Sequence, residues 1–129
     1  MQRKTILLAD DETHILNVVS IKLQNAGYEV ITAEDGQEAY ELARQRQPDL
    51  IITDYQMPLL SGVELCSKLR CEPGTCDIPA IMLTARGFVI SENDKTSGNI
   101  KQVIDKPFSP REVLASVHEL LEAASVGSD

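Results

Sequence analysis

The sequence has few of the features that mark membrane proteins or nucleic-acid-binding proteins. It holds no run of 18 apolar residues that could span a bilayer, and its start, Met1-Gln-Arg-Lys-Thr, lacks the apolar segment of a signal peptide. Basic residues are scarce, with 12 Lys and Arg against 20 Asp and Glu and a net charge of -8. Since affinity for nucleic acid comes largely from neutralising phosphates, we expect a cytoplasmic protein that does not bind nucleic acid directly through its own surface.

Cysteine is also rare. The chain has three, Cys66, Cys71 and Cys76, which follow one another at intervals of five residues. They could form a metal knot or a Cys71–Cys76 disulfide. No histidine lies nearby to complete a zinc site, however, and the count is odd, so the pattern favours free thiols in a reducing compartment.

Short apolar runs alternate with segments of helical spacing along the chain. The runs predict five strands, at 5–9, 28–32, 50–53, 80–83 and 103–104, and the intervening spacing predicts helices at 12–26, 36–46, from 61 or 62 to before Pro73, at 88–99 and at 112–124. The fourth helix should be short or loose, because 88–99 is rich in poor helix formers. The pattern predicts a single α/β domain over residues 1–124, a doubly wound parallel sheet between two helical layers, followed by a frayed tail at 125–129.

Charged and polar side chains stand where the predicted strands end. Asp10-Asp11-Glu12 follows the first strand, Asp54 the third, Thr84 the fourth and Asp105-Lys106 the fifth. Each one alone could be a helix cap, a turn residue or a surface charge. The carboxyl ends of parallel strands share one edge, however, so together they predict a site there.

Oxygen ligands alone, with no thiolate or imidazole, favour Mg²⁺ over zinc at this edge. A phosphate in the same place would use the hydroxyl of Thr84 and the ammonium of Lys106. Asp54, alone at the end of a central strand and opposite Asp10 and Asp11, is the best candidate for a nucleophile that forms an aspartyl phosphate.

From about residue 4 to residue 124, the chain resembles the receiver domain of two-component response regulators, of the chemotaxis type. The matching segments are "ILLADDE", "AEDGQEAYELA", "PDLIITDYQMPLLSGVEL", "IPAIMLTA" and "DKPFSPREVL". The resemblance implies a flavodoxin-like (βα)5 fold with strand order 2-1-3-4-5. It also implies a cis bond between Lys106 and Pro107, the kind of bond at which cis is least costly.

The same resemblance implies a role for each site residue. Asp54 would be the phospho-acceptor, with Mg²⁺ bound by Asp54, by Asp11 directly, by Asp10 mainly through water, and by the main-chain carbonyl of Gln56. Thr84 would bind the phosphoryl oxygens, and Lys106 would pair with them.

The implied partners are a sensor histidine kinase or phosphotransfer protein, which donates the phosphoryl group, and a downstream effector. The effector would bind through the face made by helix 4, strand 5 and helix 5. The protein would not be an enzyme in the usual sense, because it would catalyse only its own phosphorylation and dephosphorylation.

Some residues depart from the family pattern. Val103 stands where receivers usually carry an aromatic residue, so we expect the signal to pass through the segment 88–99 instead. Gln56 and Arg86 occupy the two positions that tune hydrolysis, and Arg86 could either cover the phosphoryl group or remain a surface side chain.

Two alternatives stay open. A degenerate receiver could act as a phosphorylation-independent interaction module, which Val103 and the weak fourth helix favour. A phosphatase of the haloacid-dehalogenase type would also use an aspartyl nucleophile and Mg²⁺. That family requires Asp-x-Asp after the first strand, and Asp10-Asp11-Glu12 breaks the spacing.

Overall fold

The computed structural model describes residues 3–85 and 90–127, and in these ranges five strands alternate with five helices. The strands are β1 (Thr5–Ala9), β2 (Glu29–Ala33), β3 (Leu50–Asp54), β4 (Ala80–Thr84) and β5 (Ile100–Asp105). The helices are α1 (Thr13–Asn25), α2 (Gly36–Arg46), α3 (Gly62–Arg70), α4 (Glu92–Ser97) and α5 (Pro110–Gly127).

The strands form one parallel sheet in the order β2-β1-β3-β4-β5. This confirms the predicted doubly wound, flavodoxin-like topology. The β4–β5 ladder is irregular, since Ala80 pairs with Ile100 but Ile81 pairs with Gln102, which leaves Lys101 as the extra residue of a bulge. Beyond the bulge the pairing is regular up to the end of β4, where Thr84 is the partner of Asp105.

Each face of the sheet is covered by its own apolar core, which makes the fold three layers. Successive side chains of a strand point to opposite faces. Leu8 and Ile52 therefore belong to the core that contains α1 and α5 residues, whereas Leu7 and Ile51 belong to the core that contains α2 and α3 residues. This arrangement explains the continuous apolar runs of β1 and β3, because a strand buried on both faces has no polar side.

The helix ends follow from local chemistry. Ser61 and Glu64 form a capping box at the start of α3, and Ser109 and Glu112 exchange equivalent hydrogen bonds at the start of α5. α4 is short, as expected, with six residues and no buried side chain. The predicted start of this segment, Phe88, lies outside the described residues.

Several predicted element boundaries were wrong. β2 begins and ends one residue later than predicted, and β5 begins three residues earlier, at Ile100. The backbone of α5 continues to Gly127, so the predicted frayed tail from Ser125 is helical for its first three residues. No proline or glycine interrupts the chain between Pro110 and Gly127, and nothing in the sequence stops the helix earlier.

The predictions of a cis peptide bond and of free thiols are both confirmed. The Lys106–Pro107 peptide bond is cis. The three cysteines are free thiols, of which Cys66 is buried and Cys71 exposed. Among the described residues, no helix combines the length and apolar character needed to cross a membrane.

Candidate functional site at the carboxyl edge of the sheet

Side-chain alternation brings three charged groups to one side of the sheet edge. Leu8, Ile52 and Ile104 all belong to the core beneath α1 and α5. Because the period along a strand is two, the residues two positions later share that side. These residues are Asp10, Asp54 and Lys106.

The ammonium of Lys106 lies among three carboxylates. Its Nζ is 3.0 Å from Oε1 of Glu12, 3.1 Å from Oδ1 of Asp54 and 3.5 Å from Oδ2 of Asp10. Burial by itself would lower the pKa of Lys106, but the hydrogen bonds to Glu12 and Asp54 and the charges of Asp10 and Asp54 outweigh it and raise the pKa. Lys106 is therefore a cation throughout the physiological pH range.

The aspartates around Lys106 are held in an environment that disfavours their charge. Burial raises the pKa of Asp10 to about 6, against the opposing effect of the hydrogen bond from the Glu12 N–H; the charge of Asp54 raises it further. Burial also raises the pKa of Asp54, and the hydrogen bond and charge of Lys106 offset part of that effect. The single positive charge of Lys106 does not neutralise the three carboxylates of Asp10, Glu12 and Asp54 that surround it.

The residual negative charge is arranged as a set of oxygen ligands. Asp10, Asp11 and Asp54 each offer a carboxylate oxygen, and these oxygens all lie within 4.8 Å of one another. Asp10 and Asp54 are buried whereas Asp11 is exposed, so the cluster opens to solvent on one side. Two buried carboxylates and an accessible third, with no sulfur or imidazole, are the ligand types that suit a hard, partly hydrated divalent cation.

An open cavity of about 350 Å³ lies over this cluster. It is lined by Asp11, Glu12, Asp54, Tyr55, Gln56, Ala85 and Lys106. The side chain of Gln56 is exposed at its rim, as a residue on a loop that follows β3. Five of the six residues predicted for the site, all except Thr84, thus either line this cavity or belong to the acidic cluster beneath it.

Thr84 is the exception. Its side chain is fully buried, and its hydroxyl donates a hydrogen bond of 3.2 Å to Oδ1 of Asp105. Thr84 does not line the cavity, although its neighbour Ala85 does. The structure therefore places Thr84 at the correct strand end, but with its hydroxyl engaged elsewhere.

Two residues of this site had no role in the sequence interpretation. Glu12 is the N-cap residue of α1, but its side chain makes no cap hydrogen bond. Its carboxylate binds Lys106 instead, 94 positions away in the sequence. Asp105 received no role because its relation to Thr84 depends on strand register.

The loop after β3 is held tightly against the strand end. An added Cβ at Gly62 would lie 2.4 Å from the Asp54 carbonyl oxygen and 2.7 Å from Sδ of Met82, so only glycine allows α3 to begin this close to Asp54. The Gly62 N–H donates to the Tyr55 carbonyl, 2.8 Å away, and closes the loop. Leu59 within the loop has a φ of 74° and is 75% exposed.

Val103 and Arg86 are positions at which the sequence analysis noted a departure from, or a variable position of, the receiver family. Val103 is half-buried and packs against the core that contains α2 and α3 residues. Arg86 lies outside the described residues, so its predicted alternatives stay predictions. The expectation that phosphorylation reorders the segment 88–99 also stays a prediction.

Comparison with known proteins agrees with this geometry. The family model of the response regulator receiver domain matches residues 6–118. The phosphate regulon transcriptional regulatory protein PhoB of Pseudomonas aeruginosa is 42% identical over 98% of this chain and 56% of its own length. The alkaline phosphatase synthesis transcriptional regulatory protein PhoP of Bacillus subtilis is 40% identical over 97% of this chain and 51% of its own length.

Among solved structures, the chemotaxis response regulator CheY4 of Vibrio cholerae superposes with a TM-score of 0.85 at 32% identity, and covers 93% of this chain and 100% of its own. A response regulator from Chloroflexus aurantiacus gives the same TM-score at 31% identity, over 94% of this chain and 99% of its own.

This chain spans about half the length of the curated relatives it matches. Those relatives are named as transcriptional regulators, and one, RpaA of Synechocystis, is named as DNA-binding. The narrower prediction of a chemotaxis-type receiver is therefore not supported by them. The prediction that this chain makes no direct contact with nucleic acid is not confirmed either and stays a prediction.

Proposed function

This chain belongs to the response regulator receiver domain family, and we propose on that basis that Asp54 accepts a phosphoryl group from a phosphohistidine of a sensor kinase or phosphotransfer protein. The observation that carries the proposal is the position of the Asp54 carboxylate, 3.1 Å from the Lys106 ammonium and in a cluster with the buried Asp10 and the exposed Asp11. A structural salt bridge alone would not require Asp10 and Asp11 beside it.

The transfer balances as a simple displacement. An oxygen of the Asp54 carboxylate attacks phosphorus, the phosphorus–nitrogen bond of the phosphohistidine breaks, and the imidazole leaves with the electron pair of that bond. The product is an acyl phosphate on Asp54. Lys106 neutralises charge on the phosphoryl oxygens in this step, because its ammonium already lies within hydrogen-bond distance of the attacking carboxylate.

Magnesium is the cation that these residues fit. Asp10, Asp11 and Asp54, with the main-chain carbonyl of Gln56, would hold it, and it would neutralise phosphoryl charge and align the oxygens for transfer. The donor set supports this choice, since every ligand offered is an oxygen. Burial first, and neighbouring carboxylates second, raise the pKa of Asp10 and of Asp54, and a bound cation would offset both effects by favouring the charged carboxylates.

Phosphorylation would then change how the domain meets its partners. A phosphoryl group adds a charge near -2 at the sheet edge, and the face made by α4, β5 and α5 would present the altered surface to a downstream effector. The similarity to longer transcriptional regulators supports a role in regulating transcription over a role in chemotaxis. The proposal also includes a cytoplasmic location, no direct contact of this domain with nucleic acid, and no catalysis beyond its own phosphorylation and dephosphorylation.

The experiment uses acetyl phosphate and Mg²⁺ with the purified chain. Intact-mass spectrometry should show a gain of one phosphoryl group that hydroxylamine removes and that is absent in Asp54→Asn. Asp77→Asn is the matched control, because Asp77 is an exposed carboxylate before β4, at the opposite edge of the sheet. No gain in the unaltered chain, or a gain that persists in Asp54→Asn, would overturn the proposal and leave the phosphorylation-independent interaction module.

A further inference from the structure

Thr84 and Asp105 are paired at the ends of the two neighbouring strands β4 and β5. They are register partners in the parallel ladder, so their side chains share one side of the sheet. The same alternation places them in phase with Met82 and Val103, both associated with the core that contains α2 and α3 residues. The Thr84 hydroxyl spans the gap between the strands and donates to Oδ1 of Asp105 at 3.2 Å.

This hydrogen bond excludes any other donation by Thr84. A threonine hydroxyl has one hydrogen to donate, and an ionised carboxylate is a stronger acceptor than a neutral oxygen. A phosphoryl oxygen on Asp54 can therefore receive the Thr84 hydrogen only after the bond to Asp105 is broken. The two acceptors compete for a single donor.

Asp105 has no alternative partner within the residues that the structure describes. Within residues 3–85 and 90–127, no cationic group lies within ion-pair distance of the Asp105 carboxylate. The hydrogen bond that this carboxylate accepts comes from Thr84. The adjacent Lys106 directs its ammonium to Glu12, Asp54 and Asp10 instead. Within this described part of the chain, the Thr84 hydroxyl is therefore the protein group that contacts the exposed carboxylate of Asp105.

We propose that Asp105 is a positioning residue that holds the Thr84 hydroxyl away from Asp54. It thereby disfavours the arrangement in which Thr84 binds a phosphoryl group on Asp54, and so slows phosphorylation. This inference rests on the proposed function, because it assumes that Thr84 binds the phosphoryl group. It adds a chain-specific restraint. Val103 has no polar group to offer, and the side chain of β5 that contacts the Thr84 hydroxyl is the carboxylate of Asp105.

The test is a double-mutant cycle on the rate of phosphorylation by acetyl phosphate, with Mg²⁺ and intact-mass detection. Asp105→Ala should raise the rate about three- to tenfold, the factor given by a hydrogen bond of ordinary net strength. Asp105→Asn, which keeps an acceptor oxygen but loses the charge, should lie between Asp105→Ala and the unaltered chain. In a Thr84→Val background, both substitutions should have no effect, because there is no hydroxyl to restrain.

The outcomes separate this inference from its alternatives. An equal acceleration in the presence and absence of the Thr84 hydroxyl would show that Asp105 acts only through its charge, and would overturn the inference. An unchanged or lower rate for Asp105→Ala, with normal Asp54 phosphorylation in the unaltered chain, would overturn it while the proposed function stands. Absence of phosphorylation in the unaltered chain would overturn both. A purely structural clamp would instead change the melting temperature without moving the rate.

Discussion

Replacing Asp10 with asparagine should stabilise the metal-free protein at neutral pH. Asp10 is fully buried, and its carboxylate is charged at neutral pH although burial disfavours that charge. An asparagine keeps an oxygen that can accept the Glu12 N–H, which is 2.9 Å from Oδ1 in the native protein. The substitution removes only the contact to Lys106 at 3.5 Å, the longest of the three that Lys106 makes.

The magnitude follows from the pKa of Asp10. The folded value of about 6 lies above the ordinary value of 3.8, so the folded state binds more protons than the unfolded state between these pH values. Stability therefore falls as the pH rises through this window, by about 3 kcal/mol at ~1.4 kcal/mol per pH unit. Asp10→Asn has no carboxylate at this position and does not lose this stability. Its free energy of unfolding should exceed that of the unaltered chain by up to about 3 kcal/mol at pH 7 and by about 1 kcal/mol at pH 4.5.

Thermal unfolding followed by circular dichroism in EDTA measures this directly. At pH 7 the melting temperature of Asp10→Asn should exceed that of the unaltered chain by about 5–10 °C, and the gap should narrow at pH 4.5. Added Mg²⁺ should stabilise the unaltered chain and leave Asp10→Asn nearly unchanged. If Asp10→Asn melts lower at pH 7 without metal, or if the gap does not depend on pH, the burial argument for Asp10 is wrong.

Three further substitutions test other parts of the site. Lys106→Ala should slow phosphorylation of Asp54 by acetyl phosphate at least tenfold in the mass assay, because it removes the cation beside the attacking oxygen; normal rates would contradict that role. Gly62→Ala should cost about 2–3 kcal/mol in urea unfolding, since its Cβ would lie 2.7 Å from Met82 Sδ. Leu59→Asn should stabilise the fold by about 0.5–1 kcal/mol in the same assay, because asparagine tolerates a φ of 74° better than leucine; a loss of stability would show that Leu59 makes a contact its 75% exposure does not suggest.

The convergence of the acidic residues was predictable because it depends on features that are local in sequence. Continuous apolar runs indicate parallel strands, and parallel strands bring their carboxyl ends to a common edge. A residue that follows such a run must then lie near its counterparts on neighbouring strands. Asp10, Asp54 and Lys106 satisfy this condition without any knowledge of side-chain contacts.

The partners of Thr84 and Glu12 were not predictable in the same way. The pairing of Thr84 with Asp105 depends on the bulge between Ala80 and Ile81, which shifts the β4–β5 register by one residue. A sequence pattern does not locate such a bulge. Glu12 had two competing uses, as a helix cap and as a partner of a lysine, and the tertiary position of Lys106 decided between them.

The bounds of β5 illustrate a related failure. Lys101 and Gln102 interrupt the apolar run, so the pattern indicated a strand at 103–104 alone. The observed strand, Ile100–Asp105, begins earlier because β4 supplies a continuous hydrogen-bonding edge, and pairing with that edge overrides the propensity of individual side chains. Tertiary context, rather than composition, fixes the end of the sheet.

The packing of β5 and α4 predicts which of them changes on phosphorylation. Val103 is β-branched, with few rotamers, and is half-buried, so it has little scope to move. α4, by contrast, has six polar residues and no buried side chain, which places it among the least stable elements described. Amide hydrogen exchange with beryllium fluoride and Mg²⁺ should therefore change several-fold more in α4 than in β5. Equal protection of α4 with and without the phosphoryl mimic would mean that the signal leaves the site by another route, and the β5 peptides of the same experiment would show whether Val103 is part of it.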